Sequence, residues 1–148
     1  MSPQEILKNL PYGQAFLFVD ELLQVNEFGA KGTYTFDENL AFYSAHFKDE
    51  PITPAVILTE TMAQIGLVCL GLYLTKEEPI NKTKTLAMSS SSIDFLRPVY
   101  PGEKVWVTSE KIYFRFNKLS CRVKMESAAG EMICKGTISG MLIAKPHE

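Results

Sequence analysis

The chain has 148 residues, 46% of them hydrophobic and 22% charged, and a formal net charge of −2 at pH 7. This length suits a single domain over residues 1–148, and the composition is ordinary for a soluble globular protein. The weak negative charge offers no basic surface, so we expect no nucleic-acid partner. Three cysteines without metal-like spacing read as reduced thiols: Cys69, Cys121 and Cys134. With no export signal at the N-terminus, the predicted location is the cytoplasm.

The N-terminal part predicts a short helix followed by strands. Ser2 fits the N-cap of a helix that runs to Asn9, with Pro3 in its first turn. A helix this short needs a sheet to lean on. Two strands are predicted after it, at residues 16–25 and 31–36.

The centre of the chain predicts about five turns of nearly all-apolar helix, preceded by a polar loop that contains His46. Thr53 fits the N-cap and Pro54 the first helical position. A helix that is apolar on every side lies in a protein core or in a membrane. Because Glu60 and Gln64 lie inside the run and Lys/Arg flanks are sparse, we predict a core helix and no membrane insertion.

Beyond the helix, which we expect to fade around residues 75–79, the pattern changes to period two. Strands are predicted at residues 86–95, 104–116, 119–126 and 131–143. The serine run 89–92 could instead be a flexible linker, although small side chains also suit a strand that a ligand crosses. The tail 145–148 is expected to be frayed. One long buried helix with about six strands predicts an α+β fold.

Glu60 and Gln64 are four residues apart and therefore share one face of the helix. Burying a carboxylate is costly unless it is paired or hydrogen-bonded. The two side chains can face solvent or a subunit contact. They can also form a site in which apolar surroundings raise the pKa of the carboxyl and let it act as an acid. The pattern alone leaves both interpretations open.

The segment AHFKDEPITPAVILTETMAQ, residues 45–64, resembles the active-site segment of the 3-hydroxyacyl-[acyl-carrier-protein] dehydratases, which runs roughly G-H-F-P-G-x-P-x-x-P-G-x-x-x-x-E-x-x-A-Q. The matching positions are His46, Phe47, Pro51, Pro54, Glu60, Ala63 and Gln64. LPYGQAFLFVD (10–20) and IDFLRPVYPGE (93–103) resemble the family's L-P-x-x-x-x-F-L-x-V-D and x-x-F-x-R-P-V-x-P-G-D. The chain departs from the family's residues at Tyr12, Glu21, Ala45, Lys48, Asp49 and Ala55.

The resemblance implies a hot-dog fold, in which a curled antiparallel sheet wraps a long central helix. It also implies a homodimer, or a dimer or trimer of dimers, with each site shared between two chains. The implied reaction is dehydration of a 3-hydroxyacyl thioester, carried by acyl carrier protein or coenzyme A, to the trans-2-enoyl thioester in fatty-acid or related lipid biosynthesis. No cofactor and no metal are expected.

Each step of that reaction has a candidate group. His46 is the expected base, since the other histidine lies two residues from the chain end. Glu60 is the expected acid. The N–H groups of Ala55 and Val56, at the helix N-terminus, suit the thioester oxyanion. Gln64 either orients Glu60 or bonds only to nearby backbone.

Substrate contacts are less specific in the sequence. Candidates for the acyl slot are Phe42, Phe47, Ile93, Phe95 and Leu96, although aromatic residues are more often plain core. Candidates for docking an acidic carrier are Arg97, Lys104, Arg115, Lys118 and Arg122, with a solvated strand face as the alternative.

Two other functions compete with dehydration. A hot-dog thioesterase would use an acidic residue to direct water at the thioester, and the spacing of His46 and Glu60 argues against it. A catalytically silent acyl-binding or partner subunit is suggested by Ala45, Asp49 and Ala55, which replace three glycines of the family's pattern.

Overall fold

A computed structural model describes residues 1–77 and 84–144. Within them, the chain forms helix α1 (Pro3–Lys8), the long helix α2 (Ala55–Leu74), two short 3₁₀ helices (Gln14–Phe16 and Ala41–Ser44) and six strands. The strands are β1 (Glu21–Asn26), β2 (Gly29–Thr35), β3 (Lys84–Phe95), β4 (Lys104–Arg115), β5 (Lys118–Ser127) and β6 (Met132–Ala144). The tail 145–148, which was expected to be frayed, lies outside the described residues.

The six described strands form one antiparallel sheet in the order β1-β2-β4-β5-β6-β3, so β1 and β3 are its edges. The α+β prediction is confirmed. Strands β2 to β6 begin and end within two residues of the predicted ranges. The serine run lies inside β3, paired with β6, so the linker interpretation is wrong. Ser90, Ser91 and Ser92 lie opposite Ser139, Ile138 and Thr137 of β6, and the backbone groups that face β6 bond across this ladder.

Helix α2 packs its central turns against the sheet. Residues 61–71 are all buried, and the turns Ala63–Val68 are wound as a π-helix. By length and composition α2 could cross a membrane, but 61% of its most apolar window is buried inside the protein, as in the core helix of a soluble protein. A Cβ on Gly66 would lie 2.9 Å from the Ser109 Cβ and 3.1 Å from Val123 Cγ1. Glycine at this position therefore allows the helix to approach the sheet closely.

The start of α1 agrees with the sequence, and the start of α2 does not. Ser2 caps α1 in a reciprocal capping box with Glu5. For α2, Pro54 occupies the N-cap and the helix begins at Ala55, so Thr53 is not the cap. The Thr53 hydroxyl bonds instead to the Tyr43 hydroxyl, a buried partner ten residues earlier in the chain.

The first strand begins later than predicted. Residues 16–25 were expected to be extended, but residues 14–16 form a 3₁₀ turn and β1 begins at Glu21. The reason is Gln64, which takes the backbone groups that a strand would pair. Its Nε2 donates to the Phe16 carbonyl at 2.9 Å, and its Oε1 accepts from the Phe18 amide at 2.8 Å.

Candidate active site

The loop that carries His46 is held by its own backbone. The His46 amide donates to the Phe42 carbonyl, and the Ile52 amide donates to the His46 carbonyl, each at 2.9 Å. The ring nitrogen Nδ1 lies 2.8 Å from the Ile52 carbonyl oxygen. Because a carbonyl only accepts, Nδ1 is the donor in this contact, and the lone pair of an uncharged His46 ring then lies on Nε2. The contact therefore selects the tautomer whose Nε2 is free to take a proton.

Glu60 is half-buried on α2 and bonded to the neighbour predicted from the sequence. Gln64 Nε2 donates to Glu60 Oε2 at 2.9 Å. Burial raises the pKa of the Glu60 carboxyl above its ordinary value, and the bond from Gln64 offsets part of that rise. Gln64 is fully buried and also bonds to the backbone of Phe16 and Phe18. The amide therefore contacts both Glu60 and the backbone of a distant segment, and its role in orienting Glu60 stays a prediction.

The N-terminus of α2 offers hydrogen-bond donors. Within the described part of the chain, the amides of Ala55 and Val56 have no hydrogen-bond partner, and both residues are exposed. The first N–H groups of a helix are unpaired within the helix and lie at the positive end of its dipole. Their predicted role as donors to the thioester oxyanion stays a prediction.

His46 lines an open cavity of about 440 Å³, whose other walls include Ala55, Phe95, Leu96 and Arg97. The cavity thus brings together the predicted base, one predicted oxyanion donor and two predicted acyl contacts. Glu60 is not part of its lining. Within one chain, the structure does not bring the two predicted catalytic side chains into a common cavity.

The other three predicted acyl contacts are not among the residues that line this cavity. Phe42 and Ile93 are partly buried and pack against the core. Phe47 is 56% exposed and stacks on the His46 ring, with ring centroids 4.0 Å apart. The assignment of these five side chains to an acyl slot stays a prediction, as do the catalytic roles of His46 and Glu60.

Three of the five predicted docking charges have partners within the chain. Arg97 pairs with Glu103 at 2.9 Å, Lys104 with Glu21 at 3.1 Å and Arg122 with Glu110 at 3.3 Å. Arg115 stacks over the Tyr113 ring, and Lys118 has no ion pair among the described residues. The last two cations remain candidates for contact with an acidic partner.

Sequence reasoning missed residues that support the site from a distance. Tyr43 and Thr53 hold the His46 loop together, and Arg97 and Glu103 clamp the loop beside it. Burial raises the pKa of the Tyr12 phenol, and the charge of the Glu60 carboxylate raises it further. Arg97 and Glu103 are six residues apart with two prolines between them, a local pattern from which a loop closed by an ion pair could have been predicted. No local pattern marks the contact between Tyr43 and Thr53.

Among the described residues, no group of three or more His, Cys, Asp or Glu side chains could hold a metal ion.

Comparison with known proteins assigns the sequence of this chain to a family. The model of the FabA-like domain matches residues 10–140. The 3-hydroxyacyl-[acyl-carrier-protein] dehydratase FabZ of Sinorhizobium fredii is 30% identical over 96% of this chain and 90% of its own length. The FabZ of Caldicellulosiruptor saccharolyticus is 32% identical over 90% of this chain and 92% of its own length.

Solved structures establish the fold at low sequence identity. The dehydratase heterocomplex ApeI:P from Xenorhabdus doucetiae superposes with a TM-score of 0.76 at 12% identity, over 100% of this chain and 93% of its own. A hypothetical thioesterase with coenzyme A from Streptococcus pneumoniae gives 0.65 at 14% identity, over 99% of this chain and 100% of its own. The predicted hot-dog fold is confirmed. By sequence, the chain belongs to the FabA-like family and to its 3-hydroxyacyl-[acyl-carrier-protein] dehydratases.

Proposed function

We propose that this protein, as one domain over residues 1–148, dehydrates a 3-hydroxyacyl-[acyl-carrier-protein] to the trans-2-enoyl thioester in fatty-acid or related lipid biosynthesis. The observation that carries the proposal is 30–32% identity to FabZ dehydratases over at least nine-tenths of the chain. The contact that leaves Nε2 of His46 free and the raised pKa of the Glu60 carboxyl support it.

Proton removal falls to His46. Its Nε2 takes the proton from C2 of the substrate, and the resulting imidazolium keeps its Nδ1–H bonded to the Ile52 carbonyl. Negative charge then builds on the thioester oxygen. The free amides of Ala55 and Val56 bind that oxygen, because donors fixed before the reaction need no reorganisation when the charge appears.

Departure of the hydroxyl falls to Glu60. Its raised pKa keeps a larger share of the carboxyl protonated near neutral pH than an exposed glutamate would have. The proton passes to the hydroxyl on C3, the C3–O bond breaks, and water leaves as the C2–C3 double bond forms. His46 then holds one extra proton and Glu60 lacks one, so a proton transfer between them restores both groups.

A two-fold dimer would bring these groups together. Glu60 does not line the cavity of His46 in its own chain. Strand β3 forms an edge of the sheet, and Phe95, Leu96 and Val56 near that cavity are 45%, 54% and 74% exposed. Open sheet edges and exposed apolar groups favour association with another chain. We propose that a second copy covers this surface and contributes Glu60 to the His46 cavity, which gives two equivalent sites per homodimer.

The carrier and the location follow from the same proposal. Arg115 and Lys118 are the docking charges left without an ion pair among the described residues, and they suit an acidic carrier protein. We propose the cytoplasm as the location of the reaction, which suits a soluble carrier and a soluble enzyme.

The test is incubation with 3-hydroxyacyl thioesters of acyl carrier protein and of coenzyme A, with enoyl absorbance and free thiol followed together. Enoyl product without thiol supports dehydration. Thiol without enoyl product would instead show a thioesterase, and neither product would show a silent subunit. Comparing the two carriers at equal chain length measures which one the protein prefers.

A further inference from the structure

The loop 97–103 lies beside the His46 cavity and is closed by an ion pair between its ends. The Arg97 guanidinium donates to both carboxylate oxygens of Glu103, at 3.2 Å and 2.9 Å, and also to the Pro98 carbonyl at 2.7 Å. Glu103 accepts a further bond from the Tyr100 amide at 2.9 Å. A two-pronged guanidinium–carboxylate pair fixes direction as well as distance. The loop is therefore held in one shape.

This loop bonds directly to the segment that holds His46. The Val99 carbonyl accepts from the Thr53 amide at 2.9 Å, and Val99 is fully buried. Thr53 follows Ile52, whose carbonyl binds Nδ1 of His46. On its other side Thr53 leads through the N-cap into α2. One anchor point thus lies between the imidazole and the helix N-terminus.

We propose that Arg97 and Glu103 are positioning residues for His46, whose ion pair fixes Val99 and, through Thr53, the carbonyl that keeps the imidazole proton on Nδ1. The inference rests on the proposed function and assigns that site a support outside the matched segment. Both side chains are partly exposed, at 23% and 28%. Their two-pronged contact sets the distance and direction between the two ends of the loop, and so the position of Val99 between them.

Glu103→Gln tests the proposal, because it keeps the shape of the side chain but removes the charge and turns an amide toward the guanidinium. Glu110→Gln is the matched control, since it breaks the exposed ion pair to Arg122, which lies outside the cavity lining. The nitrogen NMR shifts of His46 report where the imidazole proton lies. The chain has two histidines, so His46→Ala assigns the signals.

We expect Nδ1 to be protonated in the wild type and in Glu110→Gln, and the two tautomers to mix in Glu103→Gln. We expect kcat to fall at least about tenfold in Glu103→Gln, with KM changed less than about twofold, because displaced catalytic groups lose rate more than binding. Glu103→Asp, which keeps the carboxylate on a side chain one methylene shorter, should lose less than Glu103→Gln in both readouts. If Glu103→Gln does not fold, Arg97→Lys replaces it, since a lysine keeps the charge without the two-pronged contact.

Unchanged His46 nitrogen shifts in folded Glu103→Gln overturn the inference whatever happens to kcat. A fall in kcat no larger than that of Glu110→Gln overturns it as well. If the wild type forms no enoyl product, the proposed dehydration fails, and the nitrogen shifts alone then decide whether the pair positions His46.

Discussion

Gln64→Met is the change whose effect can be worked out most directly from the structure. Methionine keeps the length of the side chain and removes three hydrogen bonds, to the Phe18 amide, the Phe16 carbonyl and Glu60. The buried Phe18 N–H left without an acceptor costs about 2 kcal/mol, and the lost bond to Phe16 about 1 kcal/mol. Glu60 is half-buried and can replace its bond with water. We expect the free energy of unfolding to fall by about 3 kcal/mol.

Urea unfolding at one fixed protein concentration measures this change, because the stability of the proposed homodimer would depend on protein concentration. Gln4→Met is the control, since Gln4 is an exposed helical position and should change stability by less than about 0.5 kcal/mol. A Gln64→Met protein as stable as Gln4→Met would refute the reasoning, because it would mean that the three bonds exchange with water at no cost.

Four further predictions concern the catalytic pair. His46→Ala should lower kcat by roughly 10²–10⁴-fold in a protein with an unchanged circular dichroism spectrum, and wild-type turnover in that folded variant would remove His46 as the base. Glu60→Gln should lose turnover but retain substrate binding, whereas weaker binding at unchanged kcat would make Glu60 a ground-state contact. Because burial raises the pKa of folded Glu60 above its ordinary 4.5, the wild type loses stability as pH rises through that raised pKa. Denaturation at several pH values should therefore show that the stability of Glu60→Gln relative to the wild type increases from acid toward neutral pH. An equal difference in stability at every pH would contradict the raised pKa. Mixing His46→Ala with Glu60→Gln under subunit exchange should restore activity to about a quarter of wild type. About half the dimers are then mixed, and each mixed dimer has one intact site of its two. No recovery of activity after demonstrated exchange would mean that the site is not shared between chains.

The sequence predicted those parts of the fold that depend on local pattern. Strands β3 to β6 follow from alternation along the chain, and α2 follows from an apolar run too long for a strand. His46, Glu60 and Gln64 were identifiable because the loop and helix keep them at fixed spacing in one continuous segment. Residue type and spacing alone left Glu60 and Gln64 open between a solvent-facing stripe and a site, and the resemblance to the family's active-site segment supplied their expected roles.

What the sequence could not predict depends on partners distant in the chain. Gln64 bonds to Phe16 and Phe18, 46 to 48 residues away, and so shortens the first strand. Thr53 has the residue type of an N-cap, but Tyr43 provides a buried partner for its hydroxyl and Pro54 takes the cap. In each case a tertiary hydrogen bond competes with the local one and wins, because both polar groups are buried together.

The close contact of Gly66 with Ser109 and Val123 has a consequence for how this protein can vary. It fixes the centre of the helix that carries Glu60 against the sheet, whereas the His46 loop meets that helix at its first turn, through Thr53. Lys48 and Asp49, which replace the family's proline and glycine, lie at the exposed part of that loop. We therefore expect variation at residues 48 and 49 to alter the loop more than the helix packing, and a larger side chain at residue 66 to displace the helix that carries Glu60.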